Sequence, residues 1–280
     1  MKFGVNTLIW TAGFDKSNLD LLPRIKEYGF DGVEIARFDW SGFPAAEIRR
    51  VAESHALDCI ACSALVGNMS LITDDASVRR SSLDFLRQAI RSAAEMGSSL
   101  LVGPYCSAVG YLAGRRRTAD EWKRAVEGFQ SLGPVLDEHG VTLALEPLNR
   151  FETYFLNTVS DAVRLCGDIN HPRIGVLFDT FHANIEEKDV GDACRALGGY
   201  LKHVHCCEND RGTPGTGHAG WNGLFPALQA LKYDGWLVIE SFGFAIKEIA
   251  SAACIWRDLA GSPDEIAREG VKFLRASSAS

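Results

Sequence analysis

The 280-residue sequence contains no run of 18 or more apolar residues, the length a helix needs to cross a bilayer, so a membrane span is excluded on length. A basic excess is also missing. The formal net charge of −7 argues against a nucleic-acid partner, because phosphate binding calls for a positive stripe. The first ten residues, MKFGVNTLIW, have no basic start, long apolar stretch or small-residue cleavage site, so a cytoplasmic protein is expected. The eight cysteines are scattered without secretory features and read as reduced thiols. Cys59 and Cys62 form a CxxC pair inside the strand-like LDCIACSAL. Positions three apart on a strand point to opposite faces, so neither a redox nor a zinc role is expected of them. No GxGxxG follows the first strand-like segment, which removes the main sign of a dinucleotide-binding sheet. No long Pro- or Gly-rich linker divides the chain, and α/β barrels of this length are commonly one domain.

What is present is an ordinary globular balance, 46% apolar and 23% charged, arranged as strand-like and helix-like segments in strict alternation. Eight strands are expected: Phe3 to Leu8, Gly32 to Ala36, Asp58 to Ser63, Ser99 to Gly103, Thr142 to Glu146, Ile174 to Asp179, Leu201 to His205 and Trp236 to Glu240. Between them, stretches such as AEIRRVAESHA, SLDFLRQAIRSAAEMG and ADEWKRAVEGFQSLGPVLDEHG carry apolar residues three and four apart, as amphipathic helices do. Gly29, Gly97, Gly140 and Gly235 stand where helix C-caps are expected. Eight strand–helix units predict a single (β/α)8 barrel over residues 1–280, closed by a helix after Ile246 and ending in a frayed SSAS tail.

Strands five to eight each end in a metal-competent side chain: Glu146 of LALEP, Asp179 of GVLFD, His205 of HVH and Glu240 of LVIE. In a barrel the C-terminal ends of adjacent strands converge on one face, the face that carries barrel active sites. Any single carboxylate there can be a helix N-cap. Four groups on successive strands are harder to explain that way, and three carboxylates with one imidazole need a cation to offset their repulsion. The oxygen-rich donor set suits one divalent ion per subunit, Mn2+ first, with Mg2+ or Co2+ as alternatives. His203, two residues before His205, points the same way one layer deeper and reads as a core histidine.

The strings EPLNRFETYFLNT from Glu146, FDTFHANIEE from Phe178 and HVHCCENDRGTPGTGHAGW from His203 resemble the D-tagatose 3-epimerase and D-allulose (D-psicose) 3-epimerase family, within the xylose isomerase-like barrels. The likeness is sharp over about residues 142 to 243 and only architectural before them. It implies that Glu146, Asp179, His205 and Glu240 hold the metal, and that Glu146 and Glu240 double as the acid/base pair. Glu152, His182 and Arg211 would grip the O1 to O3 end of a ketose. It implies a homodimer or homotetramer, and interconversion of C3-epimeric ketoses through an enediolate.

Alternatives stay open on spacing alone. An aldose–ketose or hydroxypyruvate isomerase, or an inosose dehydratase-like lyase, would use a similar site. An apurinic endonuclease on this barrel would need a histidine-rich multi-zinc cluster, for which seven histidines and an acidic balance are a poor fit. In the first half, Trp10, Glu34, Cys62 and Tyr105 are placed to line the mouth, and Glu34 stands out because an unpaired buried carboxylate is costly.

Overall fold

A computed structural model describes residues 1–243 and 246–279. Eight short strands pair in parallel and in sequence order, β8 closing on β1, to make a closed barrel. They are β1 (Lys2–Asn6), β2 (Gly32–Ala36), β3 (Asp58–Cys62), β4 (Leu100–Gly103), β5 (Thr142–Leu145), β6 (Ile174–Asp179), β7 (Leu201–Cys206) and β8 (Trp236–Ile239). The helices among the described residues are α1 (Leu21–Glu27), α2 (Ala45–Ser54), α3 (Ala76–Glu95), α4 (Ala119–Gln130), α5 (Gly133–His139) and α6 (Val159–Ile169), followed by α7 (Thr180–Glu186), α8 (Val190–Leu197), α9 (Trp221–Ala230), α10 (Lys247–Ala252) and α11 (Pro263–Ser278). None of them is long and apolar enough to cross a membrane.

The alternation of strand side chains divides the core in two. Outward residues such as Val5, Val33, Ile35, Leu101, Leu143, Val176 and Val204 pack under the helices. Inward residues Ala36, Ile60, Cys62, Val102, Ala144, Leu177 and Val238 fill the barrel. Cys59 falls with the outward set and Cys62 with the inward one, as strand periodicity requires, and all eight cysteines are free thiols.

Three local expectations need correction. The long segment ADEWKRAVEGFQSLGPVLDEHG is two helices, α4 and α5, because Pro134 sits in the first turn of the second. Gly235 caps nothing: α9 ends at Ala230 and Lys232 takes the left-handed conformation, whereas Gly29, Gly97 and Gly140 do adopt positive φ. Of the SSAS end, Ser277 and Ser278 close α11 instead of fraying, while Ser280 lies outside the described residues.

At the end of β4 the chain approaches its neighbour closely enough to demand glycine. Gly103 has φ +141, and a Cβ there would overlap the carbonyl oxygen of Ser63. Its own carbonyl accepts from the backbone N–H of Glu146 at 3.1 Å, so this contact sets the height at which Glu146 leaves β5. Gly103→Ala is therefore expected to cost about 3 kcal/mol, the upper end of the usual range for overpacking. A denaturation midpoint equal to wild type would refute the close-approach argument.

Candidate metal and substrate site

Asp179, the last residue of β6, stands directly across from His205 in the β6–β7 ladder. Glu146 and Glu240 are the first residues beyond β5 and β8. All four are buried, and one ligand atom from each lies within 4.8 Å of the others. His205 Nδ1 is 3.4 Å from Glu240 Oε2 and 3.9 Å from both Glu146 Oε1 and Asp179 Oδ2. The N-cap explanation holds for Asp179, but for one oxygen only. Its Oδ1 accepts from the N–H groups of Phe181 and His182 at the start of α7, while Oδ2 faces the cluster.

A cation is a chemically sound occupant of this space. Glu146 Oε1 and His205 Nδ1 are buried without a hydrogen-bond partner, and both point into the cluster. Buried polar atoms rarely stay unpaired, and a divalent ion would satisfy both at once. Without one, burial and the Glu240 charge push the Glu146 carboxyl well above the usual carboxylate range. Burial raises Asp179 to about 6 against the pull of Arg211. Burial pushes Glu240 up too, but His205 and Arg211 outweigh it and hold its pKa below the ordinary value. Two neighbouring carboxyls are thus driven in opposite directions by one crowded charge cluster.

Beside the cluster, the structure brings Glu152, His182 and Arg211 together. The backbone N–H of Asn149 donates to His182 Nδ1 at 3.0 Å, which makes that nitrogen an acceptor and leaves the proton on Nε2. Burial and the charge of Arg211 hold the His182 pKa well below its usual value, in agreement with a neutral ring. Its Nε2 is 3.2 Å from Arg211 Nη2 and 3.6 Å from Glu146 Oε1. Two N–H donors this close cannot satisfy one another; they call for an acceptor oxygen between them.

Arg211 is itself held firmly. Its guanidinium carbon lies 3.8 Å from the centre of the Phe181 ring and 4.9 Å from that of Phe242. Its Nη1 reaches Asp179 Oδ2 at 3.3 Å and Glu240 Oε2 at 3.2 Å. The backbone pays for this placement with φ +68, a conformation uncommon for arginine. Glu152 Oε1 takes an Asn149 Nδ2 hydrogen bond at 2.8 Å and stands 3.8 Å from Arg211 Nη2.

These groups line a cavity of about 250 Å³ at the C-terminal mouth of the barrel. Its polar lining is Glu146, Glu152, His182, Arg211 and Glu240; much of the rest is apolar, with Leu8, Phe38, Ala64, Val66, Val109 and Ile249. A larger cleft of about 530 Å³ lies between the loops after β3 and β4. Its arginines already have partners, Arg115 on Glu121 at 2.7 Å and Arg124 on the Ile72 carbonyl at 2.7 Å, so the chemistry belongs to the smaller cavity.

Of the first-half candidates only Cys62 lines the cavity. Trp10 turns away and donates its indole N–H to Asp264 at 2.9 Å, and Tyr105 is buried with its hydroxyl on the Val102 carbonyl. Glu34 lies beneath the site, 2.8 Å from His205 Nε2. Glu208 had no place in the sequence reading. It is fully buried and accepts from the N–H groups of Asn209, Gly215 and Ala219 and from the Trp221 indole, so it ties down the loop that carries Arg211. Its only sequence signal was an acidic residue directly before the NDRG turn.

Fold and site together define a barrel enzyme of the xylose isomerase-like TIM barrel family, whose model matches residues 22–277. Within that family the chain belongs to the ketose 3-epimerases. It is 38% identical over 98% of its length to a probable ketose 3-epimerase of Synechocystis sp., covering 96% of that protein. Identity to a D-psicose 3-epimerase of Agrobacterium fabrum is 30%, with 98% of each chain covered. A solved L-ribulose 3-epimerase superposes with a TM-score of 0.94 at 27% identity, covering 99% of this chain and 94% of the other. A D-psicose 3-epimerase crystallised in the presence of D-fructose gives 0.91 at 28% identity over the whole of both chains.

If the cluster holds a cation, folding and binding are linked. A divalent ion at about 100 times its Kd should stabilise the protein by about 2.7 kcal/mol. That corresponds to a rise in Tm of roughly 5 °C for a chain of this size. Asp179→Asn should abolish the rise, and an unchanged melting curve for the wild type across Mn2+, Mg2+ and Co2+ would count against a metal site.

Proposed function

We propose that this chain is a metal-dependent ketose 3-epimerase, with Glu146, Asp179, His205 and Glu240 as ligands to one Mn2+, or alternatively Mg2+ or Co2+. The observation that carries the reading is the meeting of two glutamates, from the ends of β5 and β8, in a four-group cluster with the unsatisfied donor pair of His182 and Arg211. The cation would act as a Lewis acid on the sugar's adjacent oxygens and offset the charge that develops when the C3–H bond breaks.

The chain's own groups do the rest. His182 Nε2–H and Arg211 Nη2–H donate to one sugar oxygen, and Glu152 accepts from a hydroxyl next to it, which fixes the O1 to O3 end against the cluster. One of Glu146 and Glu240 takes the C3 proton, the C–H electron pair forms the C2=C3 double bond, and the C2=O π pair moves onto O2 to give the enediolate. The other glutamate returns a proton to the opposite face of C3, inverting that centre. Phe242 and the apolar wall limit water at the mouth.

We also propose that the subunit pairs with itself, as a homodimer or as half of a homotetramer, in the cytoplasm. Supporting this is an apolar rim beside the mouth: Phe151 is 70% exposed, Tyr111 54% and Leu112 49%. Their loops are joined by the Gly110 N–H to Glu152 carbonyl bond of 2.7 Å, so pairing there would also steady Glu152.

In D2O with added Mn2+, incubation of D-fructose, D-tagatose or L-ribulose should yield the 3-epimer with deuterium at C3, because the proton removed by one glutamate is not the one returned by the other. Glu146→Gln and Glu240→Gln should each lower kcat by about 10²–10⁴. Arg211→Ala or His182→Ala should lower kcat/KM by about 10–100-fold. An aldose as the main product without C3 inversion would move the enzyme to the isomerases, and a product lighter by one water would make it a dehydratase.

A further inference from the structure

Beneath the metal cluster lies a second group of polar side chains that the proposed reaction does not use. Glu34, His203 and Asn6 are all fully buried inside the barrel. Asn6 and Glu34 face each other in the β1–β2 ladder, and the Asn6 side-chain amide donates to Glu34 Oε1 at 2.6 Å. The amide is fixed in turn, since Asn6 Oδ1 accepts from the Leu8 N–H at 2.9 Å. The same Glu34 oxygen lies 2.8 Å from His205 Nε2, and Oε2 is 2.7 Å from His203 Nε2.

We propose that Glu34, clamped by Asn6, is the positioning residue that fixes the tautomer and ring orientation of His205 and thereby sets the affinity of the cluster for its cation. This rests on the reading of His205 as a metal ligand. A neutral imidazole has one N–H and one lone pair. With a carboxylate against Nε2, the proton belongs there, and the lone pair of Nδ1 is directed at Glu146, Asp179 and Glu240, where it has no partner. The opposite tautomer would set a lone pair against the Glu34 carboxylate. Carboxylates that hold ligating histidines in this way raise metal affinity by about 10–100-fold.

Glu34, His203 and His205 could themselves be taken for a second metal site, since their donor atoms also cluster. The geometry disfavours that. Oε1 is already engaged by His205 Nε2 and by the Asn6 amide, which cannot ligate a cation through its nitrogen, while Oε2 and His203 Nε2 stand only 2.7 Å apart, out of hydrogen-bond alignment.

The test is calorimetric titration of the metal-free protein with Mn2+ alone, together with the visible absorption spectrum of the Co2+-loaded form. Wild type should bind one ion per subunit. Glu34→Gln, which keeps the shape and one acceptor, should bind about 10-fold more weakly, and Glu34→Leu up to about 100-fold, with a shifted Co2+ spectrum. A purely structural role would instead lower the melting point of the metal-free protein and leave Kd and spectrum intact. Should both Glu34 variants fail to fold, Asn6→Ala, which frees the carboxylate to turn, should still weaken Mn2+ binding several-fold. Unchanged Kd and spectrum in the folded variants, or two ions per wild-type subunit, would overturn the proposal. A wild type that binds no ion would remove the metal-site reading along with it.

Discussion

Three carboxylates are buried within reach of one another at the mouth of this barrel, and almost everything distinctive about the chain follows from the need to offset their charge. The repulsion is not relieved by solvent, because the strand ends that bring the groups together also exclude water. Positive partners therefore have to be supplied by the chain or by a bound ion. The chain supplies two. Glu34 and Glu240 push His205 toward its charged form against the effect of burial, with a proton on Nδ1 that a bound cation would displace, and Arg211 is brought in on a strained backbone between Phe181 and Phe242. Neither satisfies Glu146 Oε1, which leaves a place for a cation, while Arg211 Nη1 reaches Asp179 Oδ2 and Glu240 Oε2.

The polar character runs deeper than the mouth. At the level of Asn6, Glu34 and His203 the barrel gives up aliphatic packing for polar groups, and the burial of Glu34 is offset by hydrogen bonds at Oε1 from the Asn6 amide and His205 and by the nearness of His203 to Oε2. Burial alone would raise the Glu34 carboxyl, yet His205 and His203 more than reverse it. On the proposed reading, a carboxylate kept ionised one layer down would make His205 a better electron-pair donor above. The core and the site are therefore one network and not a scaffold with groups attached to its rim.

This network explains what could be read in advance. The alternation of strand and helix, and the four strand-end groups Glu146, Asp179, His205 and Glu240, depend on local sequence pattern: an apolar run followed at once by a charged residue. Glu152, His182 and Arg211 came through resemblance of the strings around them, and the structure gathers them on one side of the cavity. Glu34 was visible as an anomaly, an acid among Val33, Ile35 and Ala36, but its partners lie about 170 residues away in β7, and no local period reports such a pairing. Glu208 was hidden for the opposite reason. It looks like an ordinary loop acid, and only the closing of the loop onto it reveals four donors aimed at one carboxylate. The Trp10 expectation failed because β1 ends at Asn6 and the following turn swings the indole toward α11.

The uneven distribution of polar groups around the cavity has a consequence for recognition. The charged groups that line it all follow β5 to β8, close to the cluster, while Leu8, Phe38, Ala64, Val66, Val109 and Ile249 contribute apolar surface. A site that hydrogen-bonds a hydroxyl can reject an analogue lacking it by several orders of magnitude, whereas an apolar wall discriminates by about 10–200-fold at most. On the proposed reading, the enzyme would be strict about the oxygens next to the reacting carbon and lenient about the configuration further along the sugar. That asymmetry is set by strand order: β5 to β8 and their loops contribute the polar half, and β1 to β4 contribute most of the apolar half.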